Sequence, residues 1–301
     1  MSRTRVLTDA QWELISPLMP SSDGKQGKPF RDHRQVVEGI IYRYRTGIAW
    51  RDLPAEFGPW QTVWKRHRRL AGDGTWDRVL AELLADADAA GLIDWQVSVD
   101  STVTRAHQHG TNLPRAQQVT GGPTNYKNLG EEPPDHAVGR SRGGLSTKIH
   151  QLCDGNGRPL VVLLGPGQGS DSRMFPHLLD ALRVHRRGRG RPRTTPDAVL
   201  GDKAYSSRGH RALLRRRGIT AVIAEPQDQK ANRTRRGAKG GRPPAFDTQR
   251  YKNRNVVERS FNTFKQWRAL ATRYDKLALT YRAGALLRAV LIWLDALGDT
   301  P

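Results

Sequence analysis

The stretch Tyr251-Lys252-Asn253-Arg254-Asn255-Val256-Val257-Glu258-Arg259-Ser260-Phe261-Asn262-Thr263-Phe264-Lys265 decides how the rest of the chain is read. Its periodicity predicts one helix. At about 100° per residue, Tyr251, Arg254, Glu258 and Lys265 fall on one stripe roughly 60° wide. Val256, Val257, Phe264 and Trp267 gather on a neighbouring face about 120° round, which reads as core. An acid flanked on its own face by an arginine, a lysine and a tyrosine is poorly explained by packing. It suits a carboxylate that holds a cation while its neighbours hold phosphates.

Two more acids stand where strands are expected to end. Val97-Ser98-Val99-Asp100 alternates and predicts a strand over 96–100 that stops at Asp100. Val199-Leu200-Gly201-Asp202 is a short apolar run over 198–202 that stops at Asp202. In open α/β sheets ligands sit at the carboxyl ends of strands. Three carboxylates from separate elements can share two hard divalent cations, which take oxygen ligands. Such a pair of metals suits phosphodiester chemistry, one activating a nucleophile and the other stabilising the leaving oxygen. Each acid also has an ordinary reading: a turn residue before Ser101-Thr102, an N-cap after Gly201, a solvated charge on a helix.

The other elements give the frame. Thr8 and Gln11 form a capping box for a short helix reaching about Met19. Residues 32–46 and 60–70 are periodic, and a fourth helix covers 76–90, bounded by Gly74 and Gly91. Trp60, Val63, Trp64 and His67 face inward, leaving Lys65, Arg66, Arg68 and Arg69 as a basic side. Short helices with tight turns predict a helix-turn-helix-like domain over 1–91. Further strands are expected over 145–153, 159–164 and 220–224, with a hairpin at Asp154-Gly155-Asn156-Gly157. Helices are expected over 172–187, 207–217 and 277–297. The pattern predicts an α/β domain over 92–301 with a mixed, five-stranded sheet in which the first and fourth strands are neighbours. Residues 104–144 and 226–246 lack periodicity and read as long loops. Residues 183–193 carry a further run of arginines; all three segments are expected at the surface, some of them ordered only on DNA.

Composition narrows the partner. Among 301 residues, 50 Lys+Arg against 29 Asp+Glu give a formal charge of +21, which points to nucleic acid. One cysteine, Cys153, excludes an internal disulfide and a cysteine zinc site. No apolar leader or membrane span is read, so a reducing, cytoplasmic compartment is expected. His107 and His109 form a His-x-His pair, but no second cluster completes a tetrahedral metal site.

The spacing Tyr251, Arg254, Glu258, Lys265 resembles the signature of bacterial insertion-sequence DDE transposases. Asp100-Ser101-Thr102-Val103-Thr104-Arg105-Ala106-His107-Gln108-His109 and Gly201-Asp202-Lys203-Ala204-Tyr205 look like the two aspartate motifs of the insertion-sequence-five family. Arg268-Ala269-Leu270-Ala271-Thr272-Arg273-Tyr274-Asp275-Lys276 is similar to the segment after the glutamate in those proteins. Trp50-Arg51-Asp52-Leu53-Pro54 and Gly58-Pro59-Trp60-Gln61-Thr62-Val63 resemble their N-terminal helical domain.

The resemblance implies a ribonuclease H-like fold. It implies Asp100, Asp202 and Glu258 as ligands of two Mg²⁺ or Mn²⁺ ions, with Tyr251, Arg254 and Lys265 as DNA-contacting supporters. It also implies cleavage at terminal inverted repeats, joining of 3′-hydroxyls to target DNA, and at least a dimer on the two DNA ends. Arg105, His107 and Lys203, inside the two aspartate motifs, are expected to touch DNA, as are Lys65, Arg66, Arg68 and Arg69. Two other readings are a decayed transposase acting as a DNA-binding regulator, and a ribonuclease H-like nuclease that does not transpose.

Overall fold

The computed structural model describes residues 6–22, 29–113 and 131–298. The expected capping box opens α1 (Asp9–Ile15), with the Gln11 N–H donating to Thr8 Oγ1 at 3.2 Å. Asp32 caps α2 (His33–Thr46) through the Arg34 and Gln35 amides, and Gly47 ends it at φ +72°, a conformation that favours glycine. Then come α3 (Trp60–Gly72) and α4 (Thr75–Ala89). The sheet begins with β1 (Gln96–Ala106), β2 (Gly139–Ser141), β3 (Gly144–Cys153) and β4 (Pro159–Pro166). After α5 (Asp171–Ala181) come β5 (Ala198–Gly201), α6 (Arg208–Arg216), β6 (Thr220–Ile223) and α7 (Gln227–Arg235). The chain closes through α8 (Thr248–Lys252), α9 (Val256–Lys265), α10 (Arg268–Ala271), β7 (Thr272–Arg273) and α11 (Ala278–Gly298).

The sheet is mixed. β3 runs antiparallel to β1 and β4, while β5 and β6 continue the sheet in parallel with β1. The expected neighbours β1 and β5 do pair, and their ladder ends at Val99 beside Gly201. Among the described residues the sheet has seven strands rather than five, because β2 and β7 are three and two residues long, too short to show alternation. β1 is eleven residues long, so Asp100 lies inside the strand and ends only its parallel ladder. Beyond Asp100, β1 continues against β3 on one side and meets β7 on the other.

The stretch 251–265 is not one helix: a 3-10 turn at Asn253–Asn255 separates α8 from α9. Asparagine side chains compete for local backbone bonds, which loosens a helix there. The helix expected to reach 187 ends at Ala181, and Val184 instead pairs with Arg193. The stretch 226–246 contains α7, which buries no residue and so carries no apolar period for the sequence to display. The expected loop 104–144 gives up its start to β1 and its end to β2, with a 3-10 turn at Gln108–Gly110; its middle, 114–130, falls outside the described residues.

The change at residue 91 is one of secondary-structure class, not a break in packing. α11 crosses back and lies against α1, α2, α3 and α4, so one apolar core runs from Ile15 and Ile40 through Trp76 to Trp293. Gly284 of α11 has no room for a Cβ, since the Tyr44 ring would meet it at 2.1 Å. Arg282 of α11 pairs with Asp77 of α4 at 2.6 Å and donates to the Val162 carbonyl of β4 at 3.1 Å. Among the described residues no helix is long and apolar enough to cross a membrane.

Candidate active site

The parallel ladder of β1 and β5 sets the first two acids. Its last pair is Val99 and Gly201, so Asp100 and Asp202 come next, side by side at the carboxyl edge. Each is held by a backbone amide close to it in sequence. The Ser101 N–H donates to Asp100 Oδ1 at 2.8 Å, and the Ala204 N–H donates to Asp202 Oδ1 at 2.8 Å. The ordinary capping reading of Asp202 holds: it caps the 3-10 turn Lys203–Tyr205. One oxygen of each carboxylate is engaged in this way.

Glu258 lies in the first turn of α9, which packs across β1 and β3. It reaches the pair through Arg254. The guanidinium donates to Glu258 Oε1 at 2.8 Å and stands 3.6 Å from Asp100 Oδ2. Its carbon lies 5.9 Å from the centre of the Tyr251 ring. Tyr251, Arg254 and Glu258 thus gather as the stripe predicts, despite the 3-10 turn. Lys265 is exposed on the same helix, seven residues or about 10 Å beyond Glu258.

The electrostatics are strained at Asp100. Burial pushes its carboxyl up to about 6; the Ser101 amide and Arg254 oppose this, while the charges of Asp202 and Asp171 add to it. Among the described residues, no three His, Cys, Asp or Glu side chains converge tightly enough to hold a metal ion. The expected three-acid cluster is therefore not closed: Arg254 stands between Asp100 and Glu258. The chemistry of the donors still fits a divalent cation. All are hard oxygens, and Asp100 is a desolvated carboxylate beside a second acid, a combination that a cation relieves.

Two residues near the pair have no role in the sequence reading. Asp171, first residue of α5, accepts from Ser101 Oγ at 2.7 Å and pairs with Lys148 of β3 at 2.9 Å. Its only sequence signal is an acid at a helix start, which is ordinary. Tyr205 is fully buried, and its phenol has no hydrogen-bond partner among the described residues. Burial raises that phenol strongly, with the charges of Asp171, Asp100 and Asp202 adding to the effect.

The remaining expected contacts divide. Arg105 and Lys203 are exposed near the acids in sequence. His107 stacks between His109 and Tyr274, with ring centres 4.8 and 5.1 Å apart. On α3, Lys65, Arg68 and Arg69 are exposed, and His67 is buried against Tyr44 as expected. Arg66 is not part of that basic side. Its guanidinium carbon lies 3.5 Å from the centre of the Phe30 ring and the residue is 7% exposed. Cation–π contact with a flanking aromatic overrides helical phase.

Residues 7–80 match a family described as a putative transposase of the IS4/5 family, and residues 93–293 match the transposase DDE domain. A putative transposase for insertion sequence element IS402 of Burkholderia cepacia is 34% identical over 158 residues, covering 52% of this chain and 66% of that protein. A putative transposase for element IS6501 of Brucella ovis is 29% identical over 150 residues, 50% of this chain and 99% of its own length. An uncharacterized 16.2 kDa protein of IS402 is 37% identical over 125 residues, 39% of this chain and 85% of that protein. The DDE match spans most of the chain and contains all three acids, so the chain belongs to the DDE transposases of the IS4/5 family and is a DNA transposase.

Proposed function

We propose that this transposase binds the terminal inverted repeats of an insertion sequence, cleaves at the element ends and joins the freed 3′-hydroxyls to target DNA. The observation that carries the reading is the register of β1 and β5, which sets Asp100 beside Asp202, with Glu258 joined to them through Arg254. The order of three antiparallel strands followed by two parallel ones supports a ribonuclease H-like frame.

Asp100, Asp202 and Glu258 are the residues that would hold Mg²⁺ or Mn²⁺. Two such ions, when bound, activate the attacking hydroxyl and stabilise the leaving oxygen. Asp100 and Asp202 each keep one oxygen on a backbone amide, which orients the other without help from solvent. Glu258 is half-exposed on a helix and is free to leave Arg254. Arg254 is then released to meet a phosphate, where its fork matches the anion bidentately. The Tyr251 ring supports that guanidinium, and Lys265 extends the same positive stripe along the DNA. Arg105, His107 and Lys203 would line the approach. Lys65, Arg68 and Arg69 on α3 would read the element's ends, with Trp60 against the core; the Trp64 ring, expected to face inward, instead has its centre 5.1 Å from the Arg68 guanidinium carbon. Two ends brought together imply at least a dimer on DNA.

The test is nicking and strand transfer on DNA that carries the element's own ends. Activity should appear with Mg²⁺ or Mn²⁺, and Ca²⁺ should support binding without turnover. Full activity in a chelator, or cleavage that ignores the repeat sequence, would overturn the proposal.

A further inference from the structure

Residues 183–193 carry six arginines, and they form a folded hairpin. Val184 and Arg193 exchange both backbone hydrogen bonds, at 2.9 and 2.8 Å. Arg187 reaches across to Asp86 and Glu82 on α4, at 2.6 Å each. Arg193 pairs with Asp197 at 2.6 Å, and its guanidinium carbon lies 3.9 Å from the centre of the Trp95 ring. The tip, Arg186-Arg187-Gly188-Arg189-Gly190-Arg191, has no apolar side chain to bury. Val184 anchors the base of the hairpin in the core, and Arg187 and Arg193 pin the rest.

The other arginines have no such task. Arg186, Arg189 and Arg191 are exposed, and among the described residues no carboxylate lies within salt-bridge reach of them. Crowding like charges on a fixed hairpin costs stability through repulsion. Arg186 and Arg191 also open onto a concavity of about 530 Å³, shared with Arg193, Thr194, Thr195 and Arg217. This concavity lies at the opposite end of the strands from the acids. Its walls include Asp197, just before β5, and Gly218, just before β6, at the amino ends of the strands. Asp202 lies past the opposite end of β5, five residues or about 16 Å along the strand from Asp197.

We infer that this hairpin is a second DNA-binding surface, which grips the phosphate backbone of a duplex away from the bond being cut. The inference rests on the reading that the substrate is DNA. Phosphates fit because guanidinium forks recognise them bidentately, and several cations spread along a hairpin match a row of anions better than one small ion. At 3.4 Å per base pair, a duplex engaged at the acids reaches the hairpin only if it extends about five base pairs or more beyond them.

The test is equilibrium binding of the full chain to duplexes of increasing length at several salt concentrations. Replacing Arg186, Arg189 and Arg191 together by Ala keeps both pinning arginines, so the melting temperature should hold. Affinity for long duplexes should fall about tenfold or more at low salt, and the salt slope should flatten by roughly 2–3. Short duplexes confined to the cut site should bind as before. The triple lysine variant should restore the long-duplex affinity, and it decides the matter if the alanine variant does not fold. Unchanged affinity and slope would overturn the inference, as would a loss independent of duplex length. Intact DNA binding with lost binding to polyglutamate would also overturn it, in favour of an acidic protein partner. A wild-type chain that binds no DNA at all would instead sink the functional reading.

Discussion

Two clusters in this molecule are built from the same three residue types and behave in opposite ways. In the helical half, Arg43, Tyr44 and Asp275 meet in the interior. Arg43 pairs with Asp275 at 3.0 Å, with side chains 4% and 7% exposed, and Tyr44 Oη lies 2.9 Å from the same carboxylate. His67 completes the node through the Thr280 carbonyl, and burial first of all lowers its ring to about 4. At the sheet edge, Arg254, Tyr251 and Asp100 meet more loosely. Arg254 stands 3.6 Å from Asp100, with side chains 21% and 23% exposed, and divides its charge with Glu258. One arginine faces one acid in the first cluster, and acids outnumber it in the second. Complementary charge inside a core joins two parts of a chain. Surplus negative charge at a strand edge is costly unless something cationic arrives.

The largest effect is expected at the sheet edge. Changing Asp100, Asp202 or Glu258 to Ala should reduce strand transfer by about a thousandfold or more, since each removes a metal ligand. Melting temperature should stay level or rise. A variant that unfolds, or one that transfers strands at the wild-type rate, would mean that the edge is structural after all and that the two clusters do not differ in kind.

The reciprocal change is Asp275→Ala. It leaves Arg43 buried without a partner, a loss on the order of 3–5 kcal/mol. Denaturant titration should show it directly. A loss below about 1 kcal/mol would mean that this node does not join α2 to the segment before α11.

Arg254→Ala and Lys265→Ala probe the same contrast at smaller scale. Strand transfer should fall by roughly ten- to a hundredfold, the range of one lost charge-assisted contact. Stability should change by less than about 1 kcal/mol, as for partly exposed charges. Equal losses in both quantities would assign the stripe to folding.

The smallest effect concerns pH. Asp100 titrates near 6 in the folded chain against an ordinary 3.8, so its protonated form is favoured by folding. That contribution is complete below about 3.8 and is lost as pH rises through about 6. Asp100→Asn should therefore stabilise the metal-free protein by about 1–2 kcal/mol at neutral pH and by little at pH 4. Stability curves at the two pH values test this, and an equal gain at both would remove the electrostatic cause.

The paired strands, the acids that end their ladder and the stripe of Tyr251, Arg254 and Glu258 are legible in the residues alone. Periodicity and strand-end position are local properties, and they show wherever burial is one-sided. The family resemblance is equally a property of the sequence, carried by motifs that span most of the chain. The return of α11 to close the core of the first four helices is not, because that packing couples residues more than two hundred positions apart. Nor does the sequence show that Asp171 meets β1, that Arg66 turns inward onto Phe30, or that Arg187 and Arg193 pin a hairpin. Each of these residues belongs to a type that is usually solvated. Which charges are satisfied and which are left facing outward is settled by the packed chain, because a charge is paired by neighbours in space and not by neighbours in sequence.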